Sequence, residues 1–188
     1  ILEGGAQDDM LGYWVGSAGN VDGDQDAEGD PLHDILIGAP FMDVRAGRVY
    51  LVFGRSRAAW GAVGTVYNVA TMTDAVSLVG EGPGYTAGTN LAGIGDFNMD
   101  TRDDFVVGSP QWNMDPADPF LVSYAGPGRA YILFGRDRAG WTAVSGSTLA
   151  AANVRFLGEP GNVSFGYLAV PAGDVDGDPD GAPELLIG

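Results

Sequence analysis

The chain has 188 residues, 45% of them apolar, no Cys, and 25 acidic against 9 basic residues, giving a formal net charge of -16. Such a surface repels nucleic acid and anionic membranes, and the missing thiols exclude disulfides, thiolate metal sites and cysteine nucleophiles. No apolar run approaches the roughly 20 residues that a membrane helix needs, so neither nucleic-acid binding nor membrane insertion is expected.

The predicted elements are short strands bounded by Gly, Asp and Pro. "ILEG" (1–4) is followed by a small-residue strand in "GYWVGSAG" (12–19), an acidic stretch, "DILIG" (34–38) and "GRVYLVFGR" (47–55). "RSRAAWGAV" (55–63) suits a single helical turn. The series then recurs: "VSLVGE" (76–81), "GTNLAGIG" (88–95), a second acidic stretch, "DFVVGSP" (104–110), a long loop at 111–127 and "GRAYILFGR" (128–136). A third pass runs through "VRFLGE" (154–159), "FGYLAVPAG" (165–173) and "ELLIG" (184–188). The acidic stretches start at Asn20, Asp96 and Asp174, so the spacings are 76 and 78 residues. Two spacings that agree this closely mark internal duplication.

Four short strands per long repeat point to an all-β chain of β-propeller blades, each of four antiparallel strands. The whole chain, 1–188, reads as one such segment, with repeats at approximately 1–75, 76–153 and 154–188. About two and a half repeats are expected to belong to a larger or assembled propeller, because closure takes at least four blades.

The acidic loops carry the chemistry. In the second, Asp96, Asn98 and Asp100 stand at positions 1, 3 and 5, and Asp104 at position 9. Alternate residues of a tight turn aim side-chain oxygens inward, and the carbonyl of Arg102 at position 7 adds another. Such an oxygen-only set suits Ca²⁺, which takes six to eight ligands, better than octahedral Mg²⁺. The first loop offers Asn20, Asp22, Asp24 and, after an insertion holding Asp26, Glu28 and Asp30, Asp34. The third offers Asp174, Asp176 and Asp178 and closes on Glu184. Asp and Asn also make Asx turns without any metal.

The acidic loop, "LIGAP" or "VVGSP", and "VYLVFG" or "AYILFG" together resemble FG-GAP repeats, over nearly the whole chain. Such repeats build the β-propeller of integrin alpha subunits and of many bacterial surface proteins. The "VFGR…W" passage and the "L-x-G-E" strand are similar to the bacterial extracellular arrays. The resemblance implies Ca²⁺ held by loop positions 1, 3, 5 and 9, carried directly onto Asp96, Asn98, Asp100 and Asp104. The Asn20 and Asp174 loops follow with their insertions. Gln25, Thr101 and Pro179 replace the family's usual Gly at position 6.

An EF-hand or dockerin would need a helix after the loop, whereas a β-run follows here. His33, the one His, reads as a solvated loop residue. Trp60 and Trp141 occupy matched places and read as packing residues; Trp14 and Trp112 have no matched partner, and Trp112 reads as the exposed contact. The "NVS" pattern at 162–164 is short enough to arise by chance. With one His and no Lys or Cys, acid–base catalysis has only carboxylates to use, and these recur at ligand spacing.

The expected function is therefore non-catalytic. It is a calcium-binding structural and adhesion module at the cell surface or outside the cell. Its expected partners are proteins: further blades of the same chain or neighbouring subunits, and a surface ligand. The rivals are a propeller segment of a larger extracellular enzyme, and a scaffold subunit of a multi-chain assembly.

Overall fold

The computed structural model describes residues 1–4, 9–115, 118–124, 126–160, 164–177, 179 and 181–188, with backbone alone at 112–115 and 118–124. A short strand β1 (Leu2–Glu3) comes first, then β2 (Trp14–Gly19) and β3 (Asp34–Ala39). A single turn α1 (Met42–Arg45), left-handed at Asp43 and Val44, leads into β4 (Arg48–Val52). The strand β5 (Tyr67–Asn68) runs parallel to β1, and β6 (Ala75–Val79) completes the first sheet, ordered β2-β3-β4-β6 with all pairs antiparallel.

The second sheet repeats that plan. It takes β7 (Asn90–Gly95) and β8 (Asp104–Ser109). After the hairpin β9 (Trp112–Asp115) and β10 (Asp118–Tyr124) come β11 (Arg129–Leu133), the helix α2 (Arg138–Val144) and β12 (Val154–Leu157). Its order is β7-β8-β11-β12, again antiparallel throughout. A third pair, β13 (Ala169–Gly173) and β14 (Glu184–Ile187), matches the first two strands of the others. Registers match too: Ile35 faces Val52 in the first sheet and Phe105 faces Leu133 in the second.

The all-β expectation and its four-stranded antiparallel units are thus observed. Two details differ. The "VSLVG" and "VRFLG" strands, which open the sequence repeats, close the preceding sheets as β6 and β12. The stretch 111–127, a loop by its sequence, contains the β9–β10 hairpin. "RSRAAWGAV" does form one 3₁₀ turn, Arg57–Trp60, and its copy forms the longer α2.

The sheets stack face to face, and the alternation of β-strand side chains makes three apolar layers. Ile37, Tyr50 and Val52 lie on the outer face of the first sheet. Leu36, Val49 and Leu51 point the other way, against Phe105, Val107, Tyr131 and Leu133 of the second. Val106, Ala130 and Ile132 then face Ala169, Leu185 and Ile187 of the third. Strands β3 and β8 are covered on both sides, which is why they read as unbroken apolar runs.

The glycines of "LIGAP" and "VVGSP" permit this stacking. A Cβ on Gly38 would stand 2.1 Å from the Gly88 carbonyl oxygen, and one on Gly108 2.1 Å from that of Gly166. Both obstacles are backbone of the neighbouring sheet. Substitution of Gly108 by Ala is therefore expected to cost about 1–3 kcal/mol through forced displacement of the sheets. A chemical denaturation midpoint equal to the parent's would contradict this packing.

Candidate functional site

Each acidic loop joins the first and second strands of its sheet, so all three sit at equivalent ends of the stack. Position 4 is left-handed in all three: Gly23 has φ 79°, Met99 φ 59° and Gly177 φ 65°. With that kink, the position 1 side chain accepts from the loop's own backbone in all three loops: Asn20 from Gly23, Asp96 from Asp100 and Thr101, and Asp174 from Gly177.

The carboxylate that begins the second strand has the most constrained place. Asp34 is buried; Oδ2 accepts from the Val21 N–H at 2.9 Å and Oδ1 from the Gly54 N–H at 2.7 Å. Asp104, also buried, accepts from Phe97 at 2.9 Å and Asn98 at 3.2 Å with Oδ2, and from Gly135 at 2.8 Å with Oδ1. Glu184 Oε2 accepts from Val175 at 2.5 Å. Asp34 and Asp104 each tie the acidic loop to the Phe-Gly turn that ends the third strand. The glycine is needed there: a Cβ on Gly54 would stand 2.7 Å from the His33 carbonyl oxygen, and one on Gly135 2.7 Å from that of Asp103. Burial pushes the carboxyls of Asp34 and Asp104 up to about 6, against the opposing pull of the N–H donors.

In the second loop Asp96 accepts from Asp100 at 2.8 Å and Thr101 at 2.7 Å, one N–H on each oxygen. Asn98 Nδ2 donates to Asp100 Oδ2 at 3.0 Å, and Asp100 Oδ1 accepts from Arg102 N–H at 3.0 Å. Every carboxylate oxygen so engaged keeps a second lone pair. The acidic side chains of this loop do not converge as a group of three; Asp104 is turned to the backbone. Arg102 is half-buried, its guanidinium beside Gly23 of the first loop.

In the third loop the convergence is direct. Among the described residues, Asp174, Asp176 and Glu184 bring one carboxylate oxygen each to within 4.8 Å of one another. Asp174 and Asp176 are exposed and Glu184 half-buried. Asp174 Oδ1 also accepts from Gly177 at 2.7 Å. Asp178 lies outside the described residues, as does Asn162 of "NVS" and the side chain of Trp112.

The first loop is filled differently. Asn20 Oδ1 accepts from Gly23 at 3.0 Å, and its Nδ2 donates to the Asp24 carbonyl at 3.0 Å. Asp22 and Asp24 both pair with Arg138, at 2.8 Å each. Sequence reasoning missed this residue; the only signal was the repeated "R-x-R-A-x-W" after each Phe-Gly. The insertion closes on itself, with Asp26 Oδ1 capping the Glu28 and Asp30 N–H groups at 3.0 and 2.9 Å. His33 is exposed, as expected.

Residues 87–133, which span β7, the second loop, β8 and β11, match the FG-GAP repeat family model. Over 167 residues, 87% of its length, the chain is 28% identical to integrin alpha-IIb of Mus musculus. It spans 14% of the length of that relative. No helix among the described residues is long and apolar enough to cross a membrane.

Two measurements test the loop geometry. Asp104→Asn puts an NH₂ group against N–H donors, and is expected to cost about 1–3 kcal/mol even in chelator. The native carboxyl, at about 6 against an ordinary 3.8, holds its proton where the unfolded chain has lost it. Its contribution is therefore complete below the ordinary value and is lost as pH rises through about 6. In chelator, the stability gap between parent and Asp104→Asn should narrow as pH rises across that window; a constant gap contradicts the assignment. Separately, Thr101 has φ 77°, a conformation costly for a side chain with a Cβ. Thr101→Gly should raise stability by about 1 kcal/mol, read from the melting curve.

Proposed function

We propose that this FG-GAP chain is a calcium-stapled, non-catalytic interaction module of extracellular type, presenting its surface to protein partners at or outside the cell surface. The convergence of Asp174, Asp176 and Glu184 carries the calcium reading. Three carboxylates that close would repel one another strongly in the absence of a cation. All are hard oxygen donors, and exposure leaves room for the waters that complete a Ca²⁺ shell. In the third loop these residues, with Asp178, would hold the ion. In the second, Asp96, Asn98, Asp100, the Arg102 carbonyl and Asp104 would do so. The ion supplies charge and rigidity: it joins positions across a loop whose backbone is otherwise held only by hydrogen bonds.

Similarity to an integrin alpha subunit supports protein partners and an extracellular setting. The partners would be further blades, in the same polypeptide or in neighbouring subunits, and a surface ligand. A non-catalytic role follows from recurrence, since a catalytic group would break the repeat at one copy.

An ion that binds only the folded chain stabilises it by about 2.7 kcal/mol per site at a hundredfold excess over its Kd. Melting is thus expected to move up with added Ca²⁺ and down with chelator, and Asp174→Ala to bind one ion fewer by calorimetry. Superimposable melting curves in Ca²⁺ and chelator would overturn the calcium reading.

A further inference from the structure

The first loop already has its cation. We propose that the Arg138 guanidinium is the resident counter-ion of this loop, which is thereby closed to Ca²⁺ and works as a clasp between the first and second sheets. This departs from the expectation that Asn20, Asp22, Asp24 and Asp34 bind metal, and it refines the calcium reading, on which it rests for the other two loops.

The geometry is that of a fork set across two carboxylates. Nε donates to Asp22 Oδ2 at 2.8 Å, and Nη2 lies 2.8 Å from Asp24 Oδ2 and donates to the Gly54 carbonyl at 3.1 Å. Asp74 of the first-sheet side stands 3.9 Å from Nη1. The guanidinium carbon lies 4.9 Å from the Phe53 ring centroid. The Asp22 side chain has 0% exposure, so its charge must be paired inside the protein. Its other oxygen is used as well, accepting from the Asp24 N–H at 2.9 Å. A planar guanidinium satisfies such an arrangement with directed donors, and it stands where an ion shared by Asp22 and Asp24 would have to sit.

Arg138 is also held in place. The Arg136 N–H and the Trp141 indole N–H both donate to the Val21 carbonyl, at 2.9 and 3.2 Å. Trp141 is fully buried. Asp137 caps α2 by accepting from Gly140 at 2.7 Å. The segment bearing Arg138 is therefore fastened to the loop it neutralises, from the next sheet of the stack. By contrast, among the described residues no ion pair joins an arginine to Asp96, Asp100, Asp174 or Glu184.

The test counts bound Ca²⁺ per chain, by calorimetry and equilibrium dialysis, in the parent, Asp22→Asn, Arg138→Gln and the double variant. Asp22→Asn should bind as many ions as the parent. Arg138→Gln should bind one more, and the double variant should return to the parent number. One ion fewer in Asp22→Asn, or no gain in a folded Arg138→Gln, overturns the clasp. If Arg138→Gln does not fold, the Asp22→Asn count decides alone. In chelator the melting losses of Asp22→Asn and Arg138→Gln should be non-additive, and additive losses count against the pairing. A parent that binds no Ca²⁺ defeats the calcium reading of the other loops; the chelator cycle still decides the clasp.

Discussion

The buried carboxylate at the head of the second strand is the constraint on which each sheet depends. Asp34 and Asp104 lie in the interior with no arginine hydrogen-bonded to them, so backbone N–H groups must supply their donors. Those donors come from two places far apart in the chain, the acidic loop and the Phe-Gly turn after the third strand. An unmatched charge here would cost several kcal/mol, so the loop cannot settle without the turn, nor the turn without the loop. The glycine follows from this: the N–H of Gly54 or Gly135 must approach a carboxylate where neighbouring backbone leaves no space for a Cβ.

A chain with net charge -16 must place its few cations well. The structure uses arginines at joints. Arg129 pairs with Glu81, which stands between the first and second sheets in sequence, and stacks 4.4 Å over Tyr85. Arg155 approaches the same Glu81 at 3.5 Å. Arg138 crosses from the second sheet to the loop of the first. Surface pairs of this kind contribute little singly, but Asp22 is wholly buried, which puts its pair in a different class. In the proposed function, Ca²⁺ meets the remaining concentration of charge.

Equal sequence does not bring equal surroundings. Trp60 and Trp141 follow Phe-Gly-Arg at the same distance, and each turns to the same face of its sheet. Trp141 meets the preceding sheet there, is fully buried and stacks on Phe105 at 5.6 Å. Trp60 is half-buried against Tyr67, edge-on at 5.8 Å, with Arg55 at 4.4 Å. Arg57 and Arg138 diverge in the same way: one is exposed, the other clasped.

Much of the fold was legible because its causes are local. Apolar runs bounded by Gly, Asp and Pro marked the strands, a period near 77 residues marked the duplication, and alternate Asp and Asn marked the loops. Loop conformation depends on hydrogen bonds spanning two to five residues, such as Asp100 and Thr101 to Asp96, and sequence contains that information. What each loop does with its charge was not legible in the same way. Asp104 reads from sequence as an oxygen donor, but the backbone N–H groups it also accepts from, one of them 31 residues on, are set by the fold. Asp22 meets its cation 116 residues away. The strand that opens a sequence repeat could not be assigned to its sheet, since hydrogen-bond partners are chosen by stacking and not by order in the chain. The sequence by itself determined the elements, the period and the supply of oxygens. Only the tertiary structure decided which carboxylates converge and which are neutralised, because Coulomb interactions depend on distance through space and not on separation along the chain.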